Sequence, residues 1–261
     1  HEKFSPVTEA FTRAGYKVHL AQTPSLHTIG YHANVLIEQI LRDIPPGKDI
    51  VLVGHSQGGL VSRLATQRLQ SLSQKKLKGR KVISVQTIGT PHHGYLDTRL
   101  PRLDESQKKI VEKSKPVAPR IIHKFFEVGT EMSPSEMESF NKFVPNVEGV
   151  YYASITNKVP KLSPLKYIRG ANTDGLIGNN SSKWGTVIKI NSNPKPPGNH
   201  IDQVYNITGK YRPAMLNGNA LVAYTEDVTM GRVSIDAAEY DYKSQPSFKS
   251  IGYRGLQVIR A

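Results

Sequence analysis

The sequence predicts an α/β fold, a mostly parallel central sheet flanked by helices with an inserted helical cap. Three observations predict it. Ile50-Val51-Leu52-Val53 is an unbroken apolar run, as expected of a strand buried on both faces of a parallel sheet. Strand-like and helix-like stretches alternate around it. From Leu100 to Phe143 the pattern becomes helical, charged and broken by Pro101, Pro116, Pro119 and Pro134, as in an insertion over one edge of the sheet.

The elements follow in order. Phe4, Val7, Ala10 and Phe11 have helical spacing, and the helix stops at Gly15. Tyr16 to Leu20 alternates like a short strand. His32 to Leu41 carries a helical apolar stripe, ended by Pro45-Pro46-Gly47. After the Ile50–Val53 strand, Gly58 to Leu72 reads as helix and Val82 to Ile88 as strand. Beyond the cap, strands resume at Val150-Tyr151-Tyr152-Ala153 and from Trp184 to Ile190. Ala220 to Tyr224 and Arg232 to Ile235 read as short strands. The expected division is a main domain over 1–210, with a cap or lid insertion at about 98–145, and a β-rich appendage over 211–261.

Composition bounds the function. A chain of 261 residues with 38% hydrophobic residues can bury a core of its own. No apolar run approaches the roughly 18 residues of a membrane span. The absence of cysteine excludes disulfides, thiolate zinc sites and a cysteine nucleophile. The net charge of +14 fits a solvated basic surface or attraction to anionic lipid surfaces. A nucleic-acid partner is not expected, because neither zinc spacing nor an aromatic RNA-binding strand is present. The dense run from Lys75 to Lys81 falls between a helix and a strand, where a solvated loop explains it.

The chemistry begins at Gly54-His55-Ser56-Gln57-Gly58-Gly59. A G-x-S-x-G turn between a strand and a helix holds a serine nucleophile in a strained conformation at the edge of the sheet. The flanking glycines let the backbone pass closely without a Cβ clash. The helix N-terminus favours developing negative charge, and the Gln57 backbone N–H is one oxyanion donor. A serine needs a base, and the base needs an orienting acid. In this strand–turn–helix architecture the chain order is serine, acid, histidine. His200 comes last, in a loop rich in Pro and Gly, and is the expected base. Asp174 precedes it by one strand and is the expected acid; alone it also fits an ordinary Asx turn before Gly175. His92 and His93 follow the Val82–Ile88 strand too early for the base and read as pocket-wall residues, like His55.

These segments resemble the bacterial true lipases of the Pseudomonas and Proteus type, within the α/β-hydrolase superfamily. The likeness runs from about Phe4 to Gly209. It includes Gly54 to Gly59, Gly-Thr-Pro-His-His-Gly at 89–94, Asp-Gly-Leu-Ile-Gly at 174–178 and Asn-His-Ile-Asp-Gln-Val at 199–204. The last two resemble the family's acid and histidine segments and imply Asp174 and His200 independently of chain order. Three departures stand beside the likeness. The family's strand and His-Gly turn that give the second oxyanion donor have no match here, so that donor and its strand are expected upstream of His1. The resemblance implies a calcium ion near the histidine loop, with Asp202 as a candidate ligand; no carboxylate matches the upstream partner, and Asp202 could hold its loop by hydrogen bonds instead. The segment after Gly209 does not look like the family's closing helix.

The expected function is therefore hydrolysis of lipid acyl esters by Ser56, Asp174 and His200 through an acyl-enzyme, with no cofactor required. Ile121, Ile122, Phe125 and Phe126 suit either a lid that opens at a lipid surface or a buried cap helix. The alternatives are a phospholipase or lipid acyltransferase with the same triad, and a non-catalytic binding protein on the same scaffold. Compartment is not fixed by these features; the family resemblance points to an extracytoplasmic setting.

Overall fold

The computed structural model describes residues 6–23, 27–94, 129–156, 174, 177–191, 203–204, 211–243 and 257–260. The elements are α1 (Pro6–Arg13), β1 (Lys17–Leu20), α2 (Ile29–Asp43), β2 (Asp49–His55), α3 (Gln57–Gln70), a short α4 (Gln74–Leu77) and β3 (Lys81–Ile88). A 3₁₀ turn (Gly129–Met132) leads into α5 (Pro134–Phe143), followed by β4 (Tyr151–Ile155), β5 (Thr186–Asn191), α6 (Tyr211–Thr229), β6 (Glu239–Lys243) and β7 (Gln257–Arg260).

The strands form one seven-stranded sheet in the order β1-β7-β2-β3-β4-β5-β6. Every pairing in it is parallel. Alternation along β2 builds two cores. Val51 and Val53 face a cluster with Val7 and Phe11 of α1 and Leu221 and Tyr224 of α6. Ile50 and Leu52 face the other side, with Leu36 and Ile40 of α2 and Leu60 and Ala65 of α3. Because both faces are covered, β2 carries no polar residue between Ile50 and Val53. This is the α/β-hydrolase architecture.

Residues 220–224, expected as a strand, lie inside the 19-residue helix α6. Ala220, Leu221, Val222, Ala223 and Tyr224 are all buried, so a continuous apolar run here marks a helix enclosed by α1 and the sheet. Gly218 allows the approach: a Cβ there would stand 2.9 Å from the Val7 Cα. A long helix thus stands after Gly209, where the sequence showed no closing helix. The 211–261 segment is not β-rich at its start, and the two strands among its described residues join the main sheet at separate positions. Arg232 to Ile235 is turn and coil, not strand.

The position beside β2 that was expected to need a strand from upstream of His1 is filled by β7, which pairs Gln257 to Arg260 with Ile50 to Val53. The backbone groups of β2 are therefore bonded on both sides, to β7 and β3.

Candidate active site

β2 ends at His55 and α3 starts at Gln57, so Ser56 alone makes the turn. It has φ 55° and ψ −129°, a conformation that costs a non-glycine residue about 1–3 kcal/mol. The turn can be this tight because Gly54 has no side chain: a Cβ there would meet the backbone of Gly58 and Gly59 at 2.5 Å. Gly59 is constrained too, since its Cβ would fall 2.2 Å from Thr90 Oγ1. Ser56 is buried, and its Oγ has no hydrogen-bond partner among the described residues. Its position at the N-cap of α3 places it at the positive end of that helix, where the first N–H groups, Gln57 included, lack intrahelical acceptors.

Asp174 is buried, at 1% exposure. Its Oδ1 accepts from the Ile177 N–H at 2.7 Å and its Oδ2 from Gln203 Nε2 at 2.7 Å. The first oxygen therefore closes a local turn three residues on, not the two-residue Asx turn, and the second reaches beyond it to the segment that also carries His200. Gly89, just after β3, has φ +55°, and a Cβ there would stand 2.5 Å from Gln203 Oε1 and 3.0 Å from Asp174 Oδ2. The Gly-Thr-Pro-His-His-Gly loop thus wedges between α3, through Thr90, and the Asp174 carboxylate, through Gly89.

His92 is fully buried. One ring nitrogen lies 3.0 Å from Thr87 Oγ1 and the other 3.3 Å from an Arg63 nitrogen, and the ring stacks on Trp184. With both nitrogens engaged there, it does not serve Ser56. Burial, and after it the charges of Arg63 and His93, hold the His92 pKa well below the ordinary 6.5. A folded state that keeps His92 neutral binds fewer protons than the unfolded chain below that value. Stability is thus fully present above pH 6.5 and is lost as pH falls below it. Thermal unfolding between pH 7.5 and 5 is expected to weaken more steeply for the unaltered protein than for His92→Gln, by at most about 1.4 kcal/mol per pH unit. Equal slopes would contradict a buried neutral His92.

His93 is exposed, and its N–H contacts the Ser181 carbonyl at 3.3 Å. With Pro134, Glu138, Asn141 and Lys142 it lines an open cavity of about 300 Å³. A larger cavity of about 380 Å³ lies near the strand starts, lined by Ile50, Lys81 and Val150 among others, at the end of β2 away from Ser56. His55, the last residue of β2, is half-buried. His200, Asp202 and the lid positions Ile121, Ile122, Phe125 and Phe126 lie outside the described residues. Among those described, no group of three or more His, Asp or Glu is placed to hold a metal ion.

Residues 25–115 match the PGAP1-like alpha/beta domain. The chain is 27% identical over 192 residues to triacylglycerol lipase 2 of Saccharomyces cerevisiae, across 66% of this chain and 53% of that protein. It therefore spans about half the length of that curated relative. The fold is similar to the Staphylococcus hyicus lipase, with a TM-score of 0.53 at 14% identity, covering 86% of this chain and 89% of the other. The solved structure shows the fold alone, the sequence likeness to lipases covers part of the chain, and the narrower likeness to the Pseudomonas and Proteus lipases rests on the motifs alone.

Proposed function

We propose that the chain carries the core of a serine ester hydrolase that cleaves acyl esters of lipids. The observation that carries this reading is Ser56: a serine at φ 55°, at the head of α3, with its Oγ free of partners among the described residues. A purely structural serine would satisfy its hydroxyl, and a relaxed turn would avoid the strain. In this reading His200 takes the Ser56 proton as Oγ attacks the acyl carbonyl. Asp174 orients the imidazole and balances its charge, and the Gln57 N–H steadies the oxyanion. The alcohol leaves with the proton from His200. Water then attacks the acyl-enzyme with His200 again as base, which restores Ser56. The name of the yeast relative supports lipid esters as the substrate class.

Labelling with a fluorescent alkyl phosphonate, followed by turnover of p-nitrophenyl esters of rising chain length and of phospholipid vesicles, tests the reading. The expected result is one label per chain and hydrolysis of the esters. A folded protein that takes no label is a binding protein on this scaffold. Preference for phospholipid would move the assignment to a phospholipase, the alternative favoured by the net charge of +14.

A further inference from the structure

Arg63 sits two turns into α3, seven residues after Ser56, and is 1% exposed. No carboxylate is paired with it among the described residues. Instead it gathers neutral groups from three segments: α5 with its C-cap, the 89–94 loop and Trp184. Nη1 donates to Asn141 Oδ1 at 2.8 Å, and Nη2 to the Val144 carbonyl that closes α5 at 2.8 Å. His92 Nδ1 stands 3.3 Å from Nη1. The guanidinium lies 3.5 Å over the Trp184 ring and 5.3 Å from the Phe140 ring. Burial pushes its pKa down to about 9, which leaves it charged at neutral pH.

A buried cation without a counter-ion is costly, and here Nε lacks even an acceptor among the described residues. Its partners show what that cost secures. Asn141 also donates to the His92 carbonyl at 2.8 Å, so the guanidinium and Asn141 grip the 89–94 loop from both its side chain and its backbone. Trp184 holds Ser154 of β4 through its N–H at 2.9 Å and Asn146 through its indole at 2.8 Å. The same loop presses Gly89 against the Asp174 carboxylate and Thr90 against Gly59.

We propose that Arg63 is a positioning residue for the reaction: by clamping the 89–94 loop between α3, α5 and Trp184, it sets the Asp174 carboxylate in register with Ser56. This rests on the hydrolase reading above. Lysine could not replace it, because a point charge cannot meet two oxygens while stacking flat on an indole.

Trp184 is the only tryptophan of the chain, so its emission reports the clamp without reference to activity. The test compares Arg63→Met, Arg63→Lys and Asn141→Ala with the unaltered protein, by ester kinetics, phosphonate labelling rate and tryptophan emission. Displacement of a reacting group by about 1 Å costs on the order of 100-fold, so Arg63→Met is expected to lower kcat by about 30- to 100-fold. KM should stay within about 3-fold, because no substrate contact is lost. Arg63→Lys should fall nearly as far, and the Trp184 emission should change in both. An unchanged kcat in Arg63→Met, or full activity in Arg63→Lys, overturns the proposal. If Arg63→Met does not fold, Asn141→Ala decides, since it removes two contacts of the clamp and keeps the charge. A loss of about 5-fold in kcat at constant KM supports positioning, and no loss overturns it. Phosphonate labelling of the unaltered protein separates this outcome from failure of the hydrolase reading, which would take the proposal down with it.

Discussion

Replacing Ser56 by alanine is expected to lower ester turnover by about 10⁴-fold or more while leaving the fold intact. The hydroxyl it removes has no partner among the described residues, so its loss breaks no structural hydrogen bond. Alanine keeps a Cβ at the strained turn, so the positive φ and its cost stay as they are. The melting temperature should therefore remain close to that of the unaltered protein while phosphonate labelling disappears. That separation of activity from stability is what a nucleophile gives and a structural serine does not. Turnover within about 10-fold of normal by pure Ser56→Ala would remove Ser56 from the mechanism and the ester hydrolase reading with it.

Asp174→Asn is expected to have the next largest effect, a loss of about 10³- to 10⁴-fold in kcat. Both oxygens of Asp174 accept hydrogen bonds from described groups, Oδ1 from the Ile177 N–H and Oδ2 from Gln203 Nε2. An amide must turn its NH₂ toward one of these donors, leaving a buried donor unsatisfied at about 1–3 kcal/mol. Stability should thus fall as well. The two measurements discriminate between rival roles. A carboxylate that only closes its local turn predicts a lower melting temperature with kcat within a few fold. A carboxylate that orients and balances the base predicts the loss of kcat in addition. Finding only the first would leave the acid of the triad to be sought elsewhere.

Apart from the short α4 with buried Leu77 and Arg80, where a solvated loop was expected, the order of strands and helices up to β3 agrees with the structure because both periodicities were written locally. The run Ile50–Val53 has apolar residues facing both cores, and Leu36 and Ile40 lie on one stripe of α2. The serine turn was legible for the same reason: Gly54, Ser56 and Gly58 meet within five residues, and the strain there is a property of the local backbone. What failed was local reading of long-range burial. Ala220 to Tyr224 is as apolar as a buried strand, and only its enclosure by α1 and the sheet makes it a helix. The placing of β7 between β1 and β2 has no local sign at all, since strand pairing joins residues about two hundred positions apart. The role of His92 was equally hidden. By itself the sequence determined the parallel sheet, the strained turn at Ser56 and the segment holding Asp174. Only the tertiary structure decided that His92 is a buried neutral spacer and that Arg63, with no carboxylate beside it among the described residues, joins α3, α5 and the Trp184 segment. A buried charge is set by the partners that fold around it, and those partners lie far apart in the chain.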